Sequence, residues 1–288
     1  MTDQIDHEDD FDLATQHICG KQHENSVTND IDCRVFFAAQ VNASASGRPL
    51  PSHRVSVRDL RLSRLNTELA AHGLALRGAF AVRGDDAVPQ IRDGVPAATL
   101  ALVGNVGSSM WPQFATSPEY RDGAPGPLDR WSRRIGDAVA THCGASALYP
   151  FGGPPHHPFL RWAARAEPTH PSPLGLSIHP VFGLWHAYRF ALAFDRLPDD
   201  LDAAPEHASP CLDCIAQPCL DACPVGAFTG TDYLVSRCAA HLRATPDGDC
   251  MRLGCAARHA CPVGAPFRYN PDHAAFHMRA FVAVRKVE

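Results

Sequence analysis

Cys211-Leu-Asp-Cys214-Ile-Ala-Gln-Pro-Cys219-Leu-Asp-Ala-Cys223-Pro224 is the more compact of two cysteine blocks. The second is looser: Cys238, Cys250, Cys255 and Cys261-Pro262. Together they hold eight of the eleven cysteines in this 288-residue chain, and each block closes on Cys-Pro. Thiolates are the ligands that iron–sulfur clusters require, and in bacterial two-cluster runs the cysteine before the proline ligates the other cluster. Eight thiolates suffice for two 4Fe–4S cubanes.

A short loop aims several sulfurs at adjacent irons, and a distant turn supplies the fourth. By that logic Cys211, Cys214, Cys219 and Cys261 share one cluster, and Cys223, Cys238, Cys250 and Cys255 hold the second. The spacing departs from C-x2-C-x2-C-x3-C-P by two extra residues between Cys214 and Cys219, a stretch that includes Pro218. A zinc site would place four ligands in tidy pairs, and only Cys211 and Cys214 pair that way. A disulfide scaffold requires an exported chain, whereas this amino terminus is acidic rather than basic and then apolar. Clusters fit the pattern better than either.

Apolar residues make up 45% of the chain, enough for a substantial core. Residues 1–32 carry nine carboxylates against Lys21, a charge of −8, so the remainder of a chain at −5 carries +3. No basic field of the kind that draws nucleic acid follows from that balance, and nucleic acid is not an expected partner. The longest apolar candidate for a membrane span, 181–194, is interrupted by His186 and Arg189. A cytoplasmic protein with reduced thiols and no membrane partner is expected.

Residues 1–50 lack periodicity and read as a disordered acidic extension, in which Cys19 and Cys33 are stray thiols. Residues 51–200 form an α+β cofactor domain and 201–288 a ferredoxin-type domain. Leu60, Leu62, Leu65, Leu69 and Ala70 have helical spacing, with Gly73 at the cap position. Strands are expected at 74–82, 97–103 and 147–151, and helices at 127–142 and 159–166. Cys143, beside Gly144, reads as a small buried hydrophobe. Residues 174–179 and 184–194 read as two strands of a hairpin joined at 180–183. Strict alternation would put Leu184, His186, Tyr188, Phe190, Leu192 and Phe194 on one face of the second strand. Trp185, Ala187, Arg189, Ala191 and Ala193 would line the other. That small-residue face admits either a flat cofactor or a tightly packed helix, and periodicity favours the helix. Residues 196–210 form the linker, and 274–284 return to the body.

Other motifs are weak. Gly104-x-x-Gly107 is neither a dinucleotide fingerprint nor a P-loop and reads as a turn. Gly152-Gly-Pro-Pro-His156-His157 reads as a surface loop. No triad or paired acid and base is evident.

Gly175-Leu-Ser-Ile-His179-Pro180-Val-Phe-Gly183-Leu-Trp185, followed by a strand, a linker and the cysteine blocks, resembles the carboxy-terminal half of epoxyqueuosine reductases. The isolated Cys238 before Cys250 matches that family's second-cluster arrangement. Ile178-His179-Pro180-x-Phe182-Gly183-x-Trp185-x-Ala187-x-Arg189 is similar to the chaperone that removes upper ligands from cobalamin. Both families, and the reductive dehalogenases, place cobalamin on a nitroreductase-like α+β core; the first and third add two 4Fe–4S clusters. The resemblance spans about residues 174–265. It implies a nitroreductase-like layer domain followed by a ferredoxin-like dicluster domain, with His179, Phe182, Trp185 and Arg189 near a corrinoid or flavin edge. The catalytic residues stay unassigned. The expected activity is that of an oxidoreductase: electrons from a ferredoxin or flavodoxin pass through the clusters to cobalamin, for reductive cleavage or corrinoid processing. A ferredoxin-type carrier with a partner-docking domain and a flavin-dependent reductase are the alternatives.

Overall fold

A computed structural model describes residues 61–91 and 94–285. The acidic extension, Cys19, Cys33 and Leu60 lie outside the described residues.

The fold is α+β. Strands β1 (Ala75–Ala81), β2 (Thr99–Val106), β3 (Ser146–Leu148) and β6 (His186–Phe194) form an antiparallel sheet in the order β1-β2-β6-β3. Strand β2 is central and apolar on both faces, as a strand covered on two sides must be. Its Ala101 and Val103 face α1 (Leu62–Ala70) and α4 (Pro127–Cys143). Leu100 and Leu102 face α5 (Phe159–Ala166). Helix α1 buries Leu62, Leu65 and Leu69, the residues its spacing selects. Its first N–H groups, from Leu62 and Ser63, donate to the Asp200 carboxylate at 2.7 and 3.1 Å. Burial works against that carboxylate, but these bonds outweigh it and hold Asp200 below its ordinary value. Helix α4 buries Trp131, Ile135 and Val139 and ends at Gly144 in the left-handed conformation. Cys143 donates to the Val139 carbonyl, and burial raises its thiol to about 11.

Two expectations about the 174–194 segment fail. Strand β5 (Ser177–Ile178) does not form a hairpin with β6; it pairs with β4 (His170–Pro171) in a separate ribbon. Strand β6 pairs with β2 along one edge and with β3 at 191–193 on the other, and β5 joins neither edge. Residues 179–183 instead close on themselves, with His179 and Gly183 exchanging two backbone bonds of 2.9 Å. Strict alternation in β6 also breaks. The β2–β6 register slips opposite Arg189, which stands as the extra residue of a bulge. Tyr188 therefore joins Ala191 and Ala193 on the α5 side, while Phe190, Leu192 and Phe194 face α1 and α4. The small face at Ala191 and Ala193 is covered by Trp162, Ala163 and Ala166 of α5, so a helix rather than a flat cofactor occupies it.

The strand expected at 97–103 runs on to Val106, so Gly104 is inside it and the turn starts at Gly107. No strand or helix forms between Phe194 and α6 (Pro218–Asp221). Then follow α7 (Val235–Ala244), α8 (Asp249–Leu253), α9 (Ala256–Ala260) and α10 (Pro271–Val284). Helix α10 packs on α7 and α8. Its Phe276 also packs in the first core, against Trp111 and Phe114 of α2 (Trp111–Ala115) and Tyr120 of α3 (Pro118–Arg121). Residues on both sides of position 200 belong to one compact unit. No described helix is long and apolar enough to cross a membrane.

Candidate functional site

Short helices bring the eight cysteines together. Cys219 lies in α6, and Cys223 follows two residues after it ends. Cys255 is the N-cap of α9 and Cys261 its C-cap. Helices α6 and α9 pack side by side, so each carries one thiol to either side of their contact. On one side Cys211, Cys214, Cys219 and Cys261 line a cavity closed by Pro173, Ile178, Pro218 and Val263. On the other, Cys223, Cys238, Cys250 and Cys255 line a second cavity with Phe228, Leu242, Ala257 and Met278. The linings have the same four-and-four grouping that the spacing suggests. All eight thiols are free. Among the described residues, no three His, Cys, Asp or Glu side chains converge as they would on a single metal ion.

The electrostatics of these cavities disfavour bare thiolates. Burial, then the neighbouring Cys261, raises Cys211 to about 11. Burial and Cys238 raise Cys255 to about 11. Cys219, Cys238 and Cys261 move the same way, each chiefly through burial. Four thiolates facing one another in an apolar space repel unless cations sit among them. A donor already points at sulfur: the Ala227 N–H donates to Cys223 Sγ at 3.3 Å. Tyr233 is fixed by stacking on Phe228 at 4.6 Å.

The first cavity abuts the 179–183 turn. A Cβ added to Gly183 would lie 2.0 Å from the Val263 carbonyl oxygen, and one on Gly264 would lie 2.2 Å from that of Phe182. Within the turn, His179 Nδ1 accepts N–H bonds from Val181 and Phe182 at 3.0 and 3.3 Å. This leaves the ring proton on Nε2, 3.9 Å from Glu167 Oε2. Burial, assisted by the Arg77 charge, lowers His179 to about 4. Its ring stacks on Phe182 at 4.4 Å.

Beneath the turn lies a buried polar network that sequence reasoning missed. Arg77 forms a bidentate pair with Glu167, including a 2.8 Å contact, and both side chains are buried. Tyr188 donates its hydroxyl to Glu167, and Arg77 reaches the Asn105 carbonyl. Burial pushes the Glu167 carboxyl up, while Arg77 and Tyr188 pull it down. The available signal was an arginine in the middle of the apolar stretch 74–82.

Trp185 is buried between Arg258, whose guanidinium lies 4.4 Å from its ring centre, and Tyr269 at 5.4 Å. Arg258 donates to the Leu184 carbonyl, tying α9 to the start of β6. Arg189 is half-buried, and its Nε has no hydrogen-bond partner. Burial lowers that guanidinium, against the pull of Tyr269 and Asp129. Of the four residues expected near a flat cofactor, His179 and Trp185 are therefore packed into the protein's own structure. Phe182 and Arg189 keep exposed surface. His156 and His157 lie in a loop, as expected, with His157 stacked on Trp162 at 5.5 Å.

No protein-family model matches this chain, and no curated protein matches it. Among solved structures it is similar to CblC, a B12-trafficking protein of C. elegans and homologue of human MMACHC. That match has 13% identity over 78% of this chain and 96% of the other, with a TM-score of 0.43. It is also similar to an epoxyqueuosine reductase solved with an epoxyqueuosine-modified tRNA-Tyr stem loop. There the identity is 16% over 74% of this chain and 71% of the other, with a TM-score of 0.36. Both likenesses are loose.

Proposed function

We propose that the protein is an iron–sulfur redox protein that holds one 4Fe–4S cluster in each cysteine cavity. The observation that carries this reading is the division of eight free thiols into two apolar cavities of four, exchanged through α6 and α9. The donor set fits: thiolate is the ligand such clusters take, and four serve each cubane. When bound, the pair would supply storage and passage of single electrons. The chain's own contribution is to hold the sulfurs, exclude water with Ile178, Val263, Leu242 and Met278, and direct the Ala227 N–H at Cys223. Hydrogen bonds to sulfur and limited solvent access tune the potential. Anaerobic iron and sulfide analysis with electron paramagnetic resonance tests the reading. Two cubane signals are expected on reduction, and a protein reconstituted without iron uptake overturns it.

The acceptor is the finer question. Delivery of electrons to cobalamin rests on the resemblance of residues 178–189, in which Val181 is exposed and Phe182, Ala187 and Arg189 are half-buried. His179 does not fit as a cobalt ligand, because Nδ1 is occupied by two backbone donors and Nε2 faces Glu167. A second reading, a plain electron carrier whose sheet domain docks a partner, draws support from α5 covering Ala191 and Ala193. Titration with hydroxocobalamin separates the two: shifted corrinoid bands support the first, unchanged bands the second. Flavin bands in the purified protein would instead point to a flavin-dependent reductase.

A further inference from the structure

One of the eight thiols is held less firmly than the rest. Cys219, Cys238 and Cys250 sit within α6, α7 and α8, and Cys255 and Cys261 cap α9. Cys223 accepts the Ala227 N–H. Cys214 belongs to no helix, and it alone of the eight has both chain neighbours, Asp213 and Ile215, exposed. Ile215 is 98% exposed and Leu212 is 76% exposed, so water reaches this loop on either side of the thiol. The Cys214 N–H reaches the Cys211 carbonyl at 3.4 Å, and the Gln217 N–H reaches the Cys214 carbonyl at 3.3 Å. Both lie beyond the usual N–H···O range. Among the described residues, the hydrogen bonds of 212–217 all stay within 209–220. Gln217 closes the loop in the left-handed conformation at φ 38°, which a non-glycine residue adopts at a cost. The two residues added between Cys214 and Cys219 thus lengthen a segment that no hydrogen bond ties to the rest of the fold. Yet Cys214 lines the first cavity together with Cys211, Cys219 and Cys261.

A cubane is held by four thiolates, so a slack ligand leaves one corner weaker than the other three. From this asymmetry, and resting on the iron–sulfur reading above, we propose that the iron held by Cys214 is an exchangeable metal position. Oxidation of the first cluster releases that iron, and Cys211, Cys219 and Cys261 keep a 3Fe–4S core. In the step, a one-electron oxidant of the class of ferricyanide or dioxygen takes one electron from the cubane, whose core charge rises to plus three. The core parts into a ferrous ion of plus two and a 3Fe–4S core of plus one. The bonds that break join this iron to Cys214 and to three sulfides, and the freed thiolate takes a proton from water. A ferrous ion and one electron from a reductant rebuild the cubane. The second cavity has no ligand on a comparable loop, so its cluster keeps all its iron under the same oxidant. Oxidant therefore interrupts electron passage at the first cavity alone, and reversibly.

The test uses the full-length protein, loaded anaerobically, treated with a small excess of ferricyanide and desalted. Iron analysis and electron paramagnetic resonance provide the readouts. Iron is expected to fall from about eight atoms per chain to about seven, with a 3Fe–4S signal that ferrous ion and dithionite abolish as the cubane re-forms. Cys250→Ser, which keeps the first cluster, is expected to give the same signal on oxidation. Cys219→Ser, which keeps the second, is expected to give none. Cys214→Ala is expected to hold about seven irons without any oxidant, whereas Cys219→Ser loses the first cluster whole. A wild-type protein whose clusters resist the oxidant, or lose their iron four atoms at a time, overturns the proposal while leaving the clusters standing. So does a 3Fe–4S signal from oxidised Cys219→Ser, or a Cys214→Ala protein with half the iron. Absence of iron from the wild-type protein overturns both this proposal and the iron–sulfur reading.

Discussion

Gly183 and Gly264 cross so closely that neither tolerates a side chain. A Cβ on Gly183 would meet the Val263 carbonyl at 2.0 Å, and one on Gly264 would meet that of Phe182 at 2.2 Å. Both also have positive φ, 57° and 73°. This crossing presses the turn before β6 against the turn that follows Cys261. Gly183→Ala or Gly264→Ala is expected to destabilise the protein by more than ~1 kcal/mol, since strain adds to the clash. Iron loss should start at the Cys261 cavity. Thermal unfolding and iron analysis check this; a fully loaded Gly264→Ala protein of unchanged stability contradicts it.

Cys219 and Cys250 line different cavities. Cys219→Ser and Cys250→Ser should each remove about half the iron, and the double variant nearly all of it, because a cubane requires four thiolates. Iron unchanged in either single variant removes that cysteine from the ligand set.

The Arg77–Glu167 pair is buried on both sides, so deleting one partner strands the other charge. Arg77→Met is expected to cost about 3–5 kcal/mol, whereas Arg77→Met/Glu167→Gln should recover part of that loss. Denaturant unfolding of the three proteins provides the double-mutant cycle.

Several buried histidines share one direction of shift. His179 is lowered to about 4 and His273 to about 3, both chiefly by burial, and His186 falls well below the ordinary histidine value of 6.5. Below pH 6.5 the unfolded chain therefore binds protons that the folded chain refuses, and stability falls as pH drops from 6.5 toward 4. Melting temperatures across that range should decline. His179→Gln should flatten part of the slope, and a wild-type curve that is flat or rises toward acid rules the mechanism out.

Elements with a strong local period were legible in the sequence. The buried stripe of α1, Trp131-Ile135-Val139 of α4, and the whole of α5 followed from spacing and caps. The cysteine spacing suggests two groups of four, and the linings of the two cavities divide in the same way. The β5–β6 hairpin did not survive, since local sequence cannot reveal that Ser177–Ile178 finds its partner in His170–Pro171. The bulge at Arg189 was invisible for a related reason: a register slip depends on the partner strand, here at Gly104. His179 shows a different limit. Its bonds to Val181 and Phe182 make it a turn residue, and a family motif alone does not separate that role from contact with a cofactor. Arg77, Glu167 and Tyr188 lie far apart in sequence, and only the folded sheet brings them together.

Phe276 of α10 fills a gap among Trp111, Phe114 and Tyr120, while Met278, two residues on, lines the second thiol cavity. Completion of that core and enclosure of the distal sulfur site thus depend on the same short stretch of polypeptide, so a change that loosens this helix disturbs both at once.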